Sequence, residues 1–363
     1  MSQKLILIVF NPPKGFFNPW EGLYKSFQST KNMESKTFKA LIISETAEKQ
    51  YVKAIMQRQI SDLPTGEILI KVHYSSLNYK DALSSSGNKG VTRNYPHTPG
   101  IDAAGVIEKS DSPDFKVGEE VIVTSYDLGM NTAGGLAEYI CVPAAWVVRL
   151  PEGMSMREAM IHGTAGFTAG MCINALINNG LTPEKGKVLV TGSKGSVGTM
   201  AIAILKKLGF EVTALTGKSE AEEWLKQVGA SEIISREALD DTSGKPMLKS
   251  VYAGVVDTVG GNILATALKS LTYGGAAAAC GLVNSTELHT SVFPFILRGN
   301  TLFGIDSAEC LMALRQKIWG KLATDFKPED LESLADEMTL EEVPAQLEII
   351  LKGGNIGKSL VKL

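Results

Sequence analysis

The 363-residue chain is poor in metal-binding side chains and in excess charge of either sign. It has four histidines, His73, His97, His162 and His289, and four cysteines, Cys141, Cys172, Cys280 and Cys310. None stands at the short spacings that zinc sites use, and there is no C-x-x-C pair, so no metal site is expected. Scattered cysteines of this kind read as reduced, mostly buried thiols in a cytoplasmic protein. The formal net charge of −3 leaves no basic field for a nucleic-acid backbone or an anionic membrane, so neither is expected as a partner. Long apolar runs are missing too. None approaches the roughly 20 residues that span a bilayer, and "LILIVF" at residues 5–10 is too short for a signal-peptide core. Residues 1–32 read as an extension outside the fold, an upstream start or leader; the alternative is a docking segment using Phe16, Phe17 and Trp20.

Hydrophobic residues make up 44% of the chain and there are 36 glycines, a composition for a globular protein rich in tight turns. The length fits two domains, or one domain inserted into another. Between Phe38 and Val148 the chain runs in short β-rich stretches, "FKALII", "GEILIKVHYSSLN", "AGVIEKS", "EEVIVTS" and "LAEYICVP", which predict an antiparallel, barrel-like unit. After Pro151 a helical stretch leads into alternating strands and helices: "KVLVTG", "EVTALTG", "SEIISR", "GVVDTVG" and "GAAAACG". Strand and helix in repeated order predict a parallel, doubly wound sheet, an α/β fold. The tail, ending in the strand-like "GKSLVKL", is too short for a domain and is expected to return to the barrel.

Residues 188–209, "VLVTGSKGSVGTMAIAILKKLG", combine a strand, a glycine turn and an amphipathic helix. Such a turn must aim backbone N–H groups at a pyrophosphate with no side chain in the way. Gly195 supplies the close approach and Gly198 the tight packing, while Ser193 takes the first glycine position and Ser196 offers a hydroxyl to phosphate. The next strand ends in Thr216, Gly217, Lys218 and Ser219, with no acid at its tip for a ribose 2′-OH. That end favours a 2′-phosphate, hence NADPH over NADH; the alternative is a solvated lysine in an ordinary loop.

The stretches "SSLNYKDAL", "PHTPGIDAAG", "GGLAEY", "AMIHGTAGFTAG", "VLVTGSKGSVG" and "PFILRGNTLFGIDS" together resemble the zinc-free branch of the medium-chain dehydrogenase/reductase superfamily. More narrowly they resemble its acryloyl-CoA reductases, often labelled NADPH-dependent quinone oxidoreductases. Where the zinc enzymes carry Gly-His-Glu, this chain has Gly100, Ile101 and Asp102. The resemblance runs from about Met33 to the C-terminus. It implies a GroES-like β-barrel domain, 33–155 with 300–363, and an inserted Rossmann-type NADPH-binding domain, 156–299, usually in a homodimer. Carried onto this sequence, the cofactor contacts are Tyr79, Lys194, Gly195, Ser196, Val197, Thr216, Gly217, Lys218, Arg236, Leu282, Ile296 and Ser307. Ser196 departs from the family's usual glycine, and nothing carries over from "LKGGN" near the end.

Without a metal, hydride can reach the β-carbon of an activated alkene if donors hold the developing oxyanion and a side chain or water protonates the α-carbon. Tyr79, in the polar cluster Asn78, Tyr79, Lys80 and Asp81, is the candidate catalytic residue, positioning first and acid second. Arg298 and Arg93 are candidates for a CoA phosphate, or plain surface or interdomain charges. Asp257 at a strand end reads as a turn cap. The expected substrate is a small molecule, acryloyl-CoA first and a quinone second; the reading from another class is a non-catalytic NADPH sensor.

Overall fold

A computed structural model describes residues 35–217 and 219–363. The extension 1–32 and Lys218 therefore lie outside the described residues.

Six parallel strands form one sheet in the spatial order Glu232–Ile234, Val212–Leu215, Val188–Val190, Tyr252–Asp257, Leu271–Ala279, Thr301–Gly304. Counted along the chain this is 3-2-1-4-5-6, the doubly wound order whose direction reverses between the first and fourth strands. The apolar strands are short and continuous because both faces are covered. Val188, Val190 and Val256 pack into the core that includes Met200 and Ile204, and Leu189 and Val255 into the one with Ile263 and Leu268. The sixth strand comes from beyond residue 299, so the sheet continues past the stretch that the family resemblance assigns to it.

The second sheet has the order Ala335–Thr339, Lys358–Lys362, Ile68–Ser76, Asp102–Ser110, Glu120–Thr124, Val147–Arg149, with Tyr139–Val142 also on Ile68–Ser76. Ile68, Ile70 and Val72 alternate into a core with Val121, Val123 and Ile140, while Leu69 on the opposite face packs with Phe38 and Tyr139. The C-terminal strand pairs antiparallel with this sheet, Leu360 opposite Ser76 and Val361 opposite Ser75. A separate hairpin joins Thr37–Glu45 to Tyr51–Gln59.

The helix Met156–Asn178 packs against the strand Asp102–Ser110 of the barrel sheet and against the helix Ser196–Lys207 of the parallel one. It starts at a capping box, with Glu158 N donating to Ser155 Oγ at 3.1 Å and Ser155 N to Glu158 Oε2 at 2.9 Å. By length and composition this helix could cross a membrane, so the expectation that no run approached that length was too strict; 83% of its most apolar window is buried inside the protein. At Gly163 the backbone leaves helical geometry, with φ 49° and ψ −158°.

Candidate active site

The glycine turn is built mainly by backbone. Ser193 is fully buried, and its Oγ donates to Val190 O at 2.8 Å, so serine closes the turn inward in place of glycine. A Cβ on Gly198 would lie 2.5 Å from Gly192 O and 2.7 Å from Ser193 Cα, which restricts that position to glycine. The helix Ser196–Lys207 begins at Gly195 with no side-chain cap and no acid in its first turn. Its leading N–H groups thus have no side-chain competitor for an anion. Ser196 does not keep its hydroxyl proton for phosphate as expected. Its Oγ donates to Gly357 O at 2.8 Å, and Gly357 N donates to Lys194 O at 3.2 Å, so the C-terminal segment is bonded to the turn twice.

Asp257, at the end of the fourth strand, accepts from Thr191 Oγ1 at 2.7 Å and Gly260 N at 2.8 Å. It braces the loops on either side of the sheet's reversal, as its turn-cap reading required, and burial holds its carboxyl above the usual range. At the end of the second strand the guanidinium of the exposed Arg236 stands beside Gly217: a Cβ there would meet Arg236 Nε at 3.8 Å and Nη2 at 4.0 Å. Arg236 has no ion-pair partner among the described residues. Thr216 is buried, its N donating to Ile234 O at 3.1 Å.

In the barrel, Tyr79 is 50% exposed and opens the helix Tyr79–Ser85. Asn78 caps that helix in a box with Asp81, whose Oδ2 accepts from Asn78 N at 2.7 Å. The other oxygen of Asp81 accepts from Gly100 N at 3.1 Å and Ile101 N at 3.0 Å. Burial, and secondarily the charge of Asp102, push the Asp81 carboxyl up to about 7. Asp102, also fully buried, accepts from Ser76 Oγ at 2.6 Å, Asn78 Nδ2 at 2.7 Å and Thr164 Oγ1 at 2.6 Å. The ammonium of the buried Lys358 lies 3.6 Å from its Oδ2. Gly163 makes the room, because a Cβ there would come within 2.5 Å of both Asp102 Oδ2 and Ser76 Oγ.

The remaining expected residues are more dispersed. Ser307 Oγ accepts from Thr168 Oγ1 at 2.7 Å on the long helix. Leu282 is exposed next to Gly260, whose Cβ would meet Leu282 Cα at 3.4 Å. Ile296 is exposed on the helix Phe293–Arg298, which packs on the fifth strand. Val197 is a half-buried residue of the turn helix, packed on the main core. Arg298 is not available to a CoA phosphate: its guanidinium donates to the carbonyls of Lys269 and Leu271, each at 2.8 Å, and of Leu248 at 2.6 Å. Arg93 is exposed and has no ion-pair partner among the described residues.

Lys358 and Arg315 were not found by sequence reasoning. Buried Arg315 donates to Thr124 O at 3.0 Å, Ser307 O at 3.0 Å and Ala308 O at 2.9 Å, tying the end of the strand Glu120–Thr124 to the Ser307 loop. In sequence each is one basic residue among 36, and no spacing marks it as buried.

Residues 64–152 match the alcohol dehydrogenase GroES-like domain family, and residues 196–320 the family described as zinc-binding dehydrogenase. A Bacillus subtilis protein named "putative quinone oxidoreductase YhfP" is 46% identical over 91% of this chain and 100% of its own. The chain belongs to the medium-chain dehydrogenase/reductase superfamily. It is an oxidoreductase of that family. The acrylyl-CoA reductase AcuI of Ruegeria pomeroyi is 42% identical over 89% of this chain and 98% of its own. Among solved structures, YhfP with NAD bound superposes with a TM-score of 0.88 at 45% identity, covering 91% of this chain and 100% of that one. The Salmonella enterica YhdH oxidoreductase in complex with NADP gives 0.86 at 42%, covering 90% and 99%.

The second family's description implies zinc, and the residues here do not fit it. Among the described residues no three His, Cys, Asp or Glu side chains converge. Asp102 is surrounded instead by hydroxyls, an amide and the Lys358 ammonium, donors that satisfy a carboxylate and compete with a cation.

Proposed function

We propose that this enzyme reduces an electron-poor C=C bond with NADPH, converting acryloyl-CoA to propanoyl-CoA by hydride transfer without a metal. The observation that carries the cofactor choice is the acid-free end of the second strand, where Gly217 and the Arg236 guanidinium, with no ion-pair partner among the described residues, leave space and positive charge for a 2′-phosphate. The NADP complex of the Salmonella relative and the name of the Ruegeria relative support the same reading. A second reading, NADPH:quinone oxidoreduction, is favoured by the name of the Bacillus relative.

The bound cofactor would supply the hydride. The residues of the chain do the rest. Lys194, Gly195, Ser196 and Val197 present the turn to the pyrophosphate, and Thr216, Gly217, Lys218 and Arg236 receive the ribose phosphate. Leu282, Ile296 and Ser307 flank the remainder of the cofactor. Tyr79 stands beside the nicotinamide as a positioning residue, and water or Tyr79 delivers the proton to the α-carbon. The barrel unit, 33–155 with the tail, frames the substrate, and two chains pair as a homodimer in the cytoplasm.

The test is NADPH consumption with acryloyl-CoA and, in parallel, with benzoquinone, each repeated with NADH. Faster turnover of acryloyl-CoA with NADPH is expected. Turnover of quinone alone would move the assignment to the second reading, and NADPH binding with no turnover would make the protein a sensor.

A further inference from the structure

Gly357 and Lys358 are adjacent in sequence but bind different units. Gly357, with φ 68°, donates to Lys194 O and accepts from Ser196 Oγ in the glycine turn. Lys358 is buried on the barrel side, where Nζ donates to Asn78 Oδ1 at 2.9 Å and Leu77 O at 3.1 Å. The amide end of the Asn78 side chain donates to Asp102 Oδ2 at 2.7 Å. The carboxamide is therefore gripped at both ends, and Asn78 is the cap from which the Tyr79 helix starts. Asp102 takes its short hydrogen bonds from Ser76, Asn78 and Thr164, while the Lys358 ammonium at 3.6 Å supplies a counter-charge. Its two hydrogen bonds act on Leu77 and Asn78.

We propose that Lys358 is a positioning residue that fixes Asn78, and through it Tyr79, at the distance from the cofactor turn set by its neighbour Gly357. A four-residue path, from the Ser196 hydroxyl through Gly357 and Lys358 to Asn78, then joins the phosphate end of the cofactor site to the reacting end. The proposal rests on the reading of Tyr79 as the residue beside the nicotinamide.

A double-mutant cycle on the full chain tests it, with Lys358→Met, Tyr79→Phe and the pair. Two readouts are used: kcat against NADPH Kd with acryloyl-CoA or benzoquinone, and the fluorescence emission of bound NADPH, which needs no turnover. Lys358→Met is expected to lower kcat about tenfold or more with NADPH Kd changed less than about threefold. It should shift bound-NADPH emission in the same direction as Tyr79→Phe, and the double variant should lose no more than the larger single loss. Losses that multiply, or a silent Lys358→Met beside an effective Tyr79→Phe, would overturn the proposal. A silent Tyr79→Phe would instead overturn the reading of Tyr79, and with it the route assigned to Lys358. Should Lys358→Met fail to fold, Asn78→Ser keeps a capping residue while cutting the link, and the same non-additivity with Tyr79→Phe is expected.

Discussion

The glycine turn and the barrel corner around Asp102 lie on either side of Gly357–Lys358, and they are made of different material. The turn is mostly backbone: Gly192 sits at positive φ against the Thr258 hydroxyl, and Gly195 and Gly198 lie close to the Gly192 carbonyl. The corner is side chain: Ser76, Asn78, Asp81, Asp102, Thr164 and Lys358 satisfy one another around two fully buried carboxyls. A backbone site tolerates any side chain that points away, whereas a buried polar cluster fails when one member is missing.

The sharpest way to break the contrast is at Gly163, where the corner depends on a glycine. Gly163→Ala puts a Cβ at positive φ and against Asp102 and Ser76. It is expected to cost at least about 3 kcal/mol in denaturant unfolding; a loss under about 1 kcal/mol would mean that the cluster can make room. In the turn, Gly198→Ala should weaken NADPH at least about tenfold, a loss of about 1.4 kcal/mol in binding, read by fluorescence titration. Unchanged affinity would remove the close packing of Gly198 from the site.

Titration separates the two regions further, because the corner and its helix hold buried ionisable groups. Asp81 in the fold keeps its proton up to about 7, against an ordinary value of 3.8. Between those values the folded state binds more protons than the unfolded chain, so this group's contribution to stability is lost as pH rises through the window. The slope is at most about 1.4 kcal/mol per pH unit. His162, beside Gly163, behaves oppositely: burial lowers it from 6.5 to about 3. The unfolded chain then binds the extra proton, and stability falls as pH drops from 6.5 toward 3. Unfolding measured from pH 4 to 7 should slope more toward alkaline stability in Asp81→Asn, and less in His162→Leu, than in the parent chain. Parallel curves would contradict the buried assignments. The smallest effect is expected at Arg298, outside both regions: Arg298→Gln should cost stability of about 1–2 kcal/mol and leave KM for acryloyl-CoA within about twofold. A large rise in KM would return Arg298 to the substrate site.

The same contrast explains what the sequence made legible. The central parallel strands were readable because they are buried on both faces, and the glycine turn because its pattern is local in sequence. The strand Tyr51–Gln59 was missed: its apolar residues Val52, Ala54, Ile55 and Met56 do not alternate with polar ones, and none of them is buried. The strand Thr301–Gly304 was hidden in a stretch read only as a family motif. Ser196 had the right residue type and position for phosphate, but its partner is 161 residues away at Gly357. The Asp102–Lys358 contact likewise joins residues that only the returning tail brings together.

The central claim is that a 2′-phosphate is read at Gly217 and Arg236. Its most direct test is kcat/KM for NADPH and for NADH, with acryloyl-CoA, in the parent enzyme and in Arg236→Ala. The account predicts a preference for NADPH of about a hundredfold that shrinks at least about tenfold in the variant, through loss of NADPH alone. Equal use of both cofactors by the parent enzyme, or a preference that survives the substitution, would contradict it.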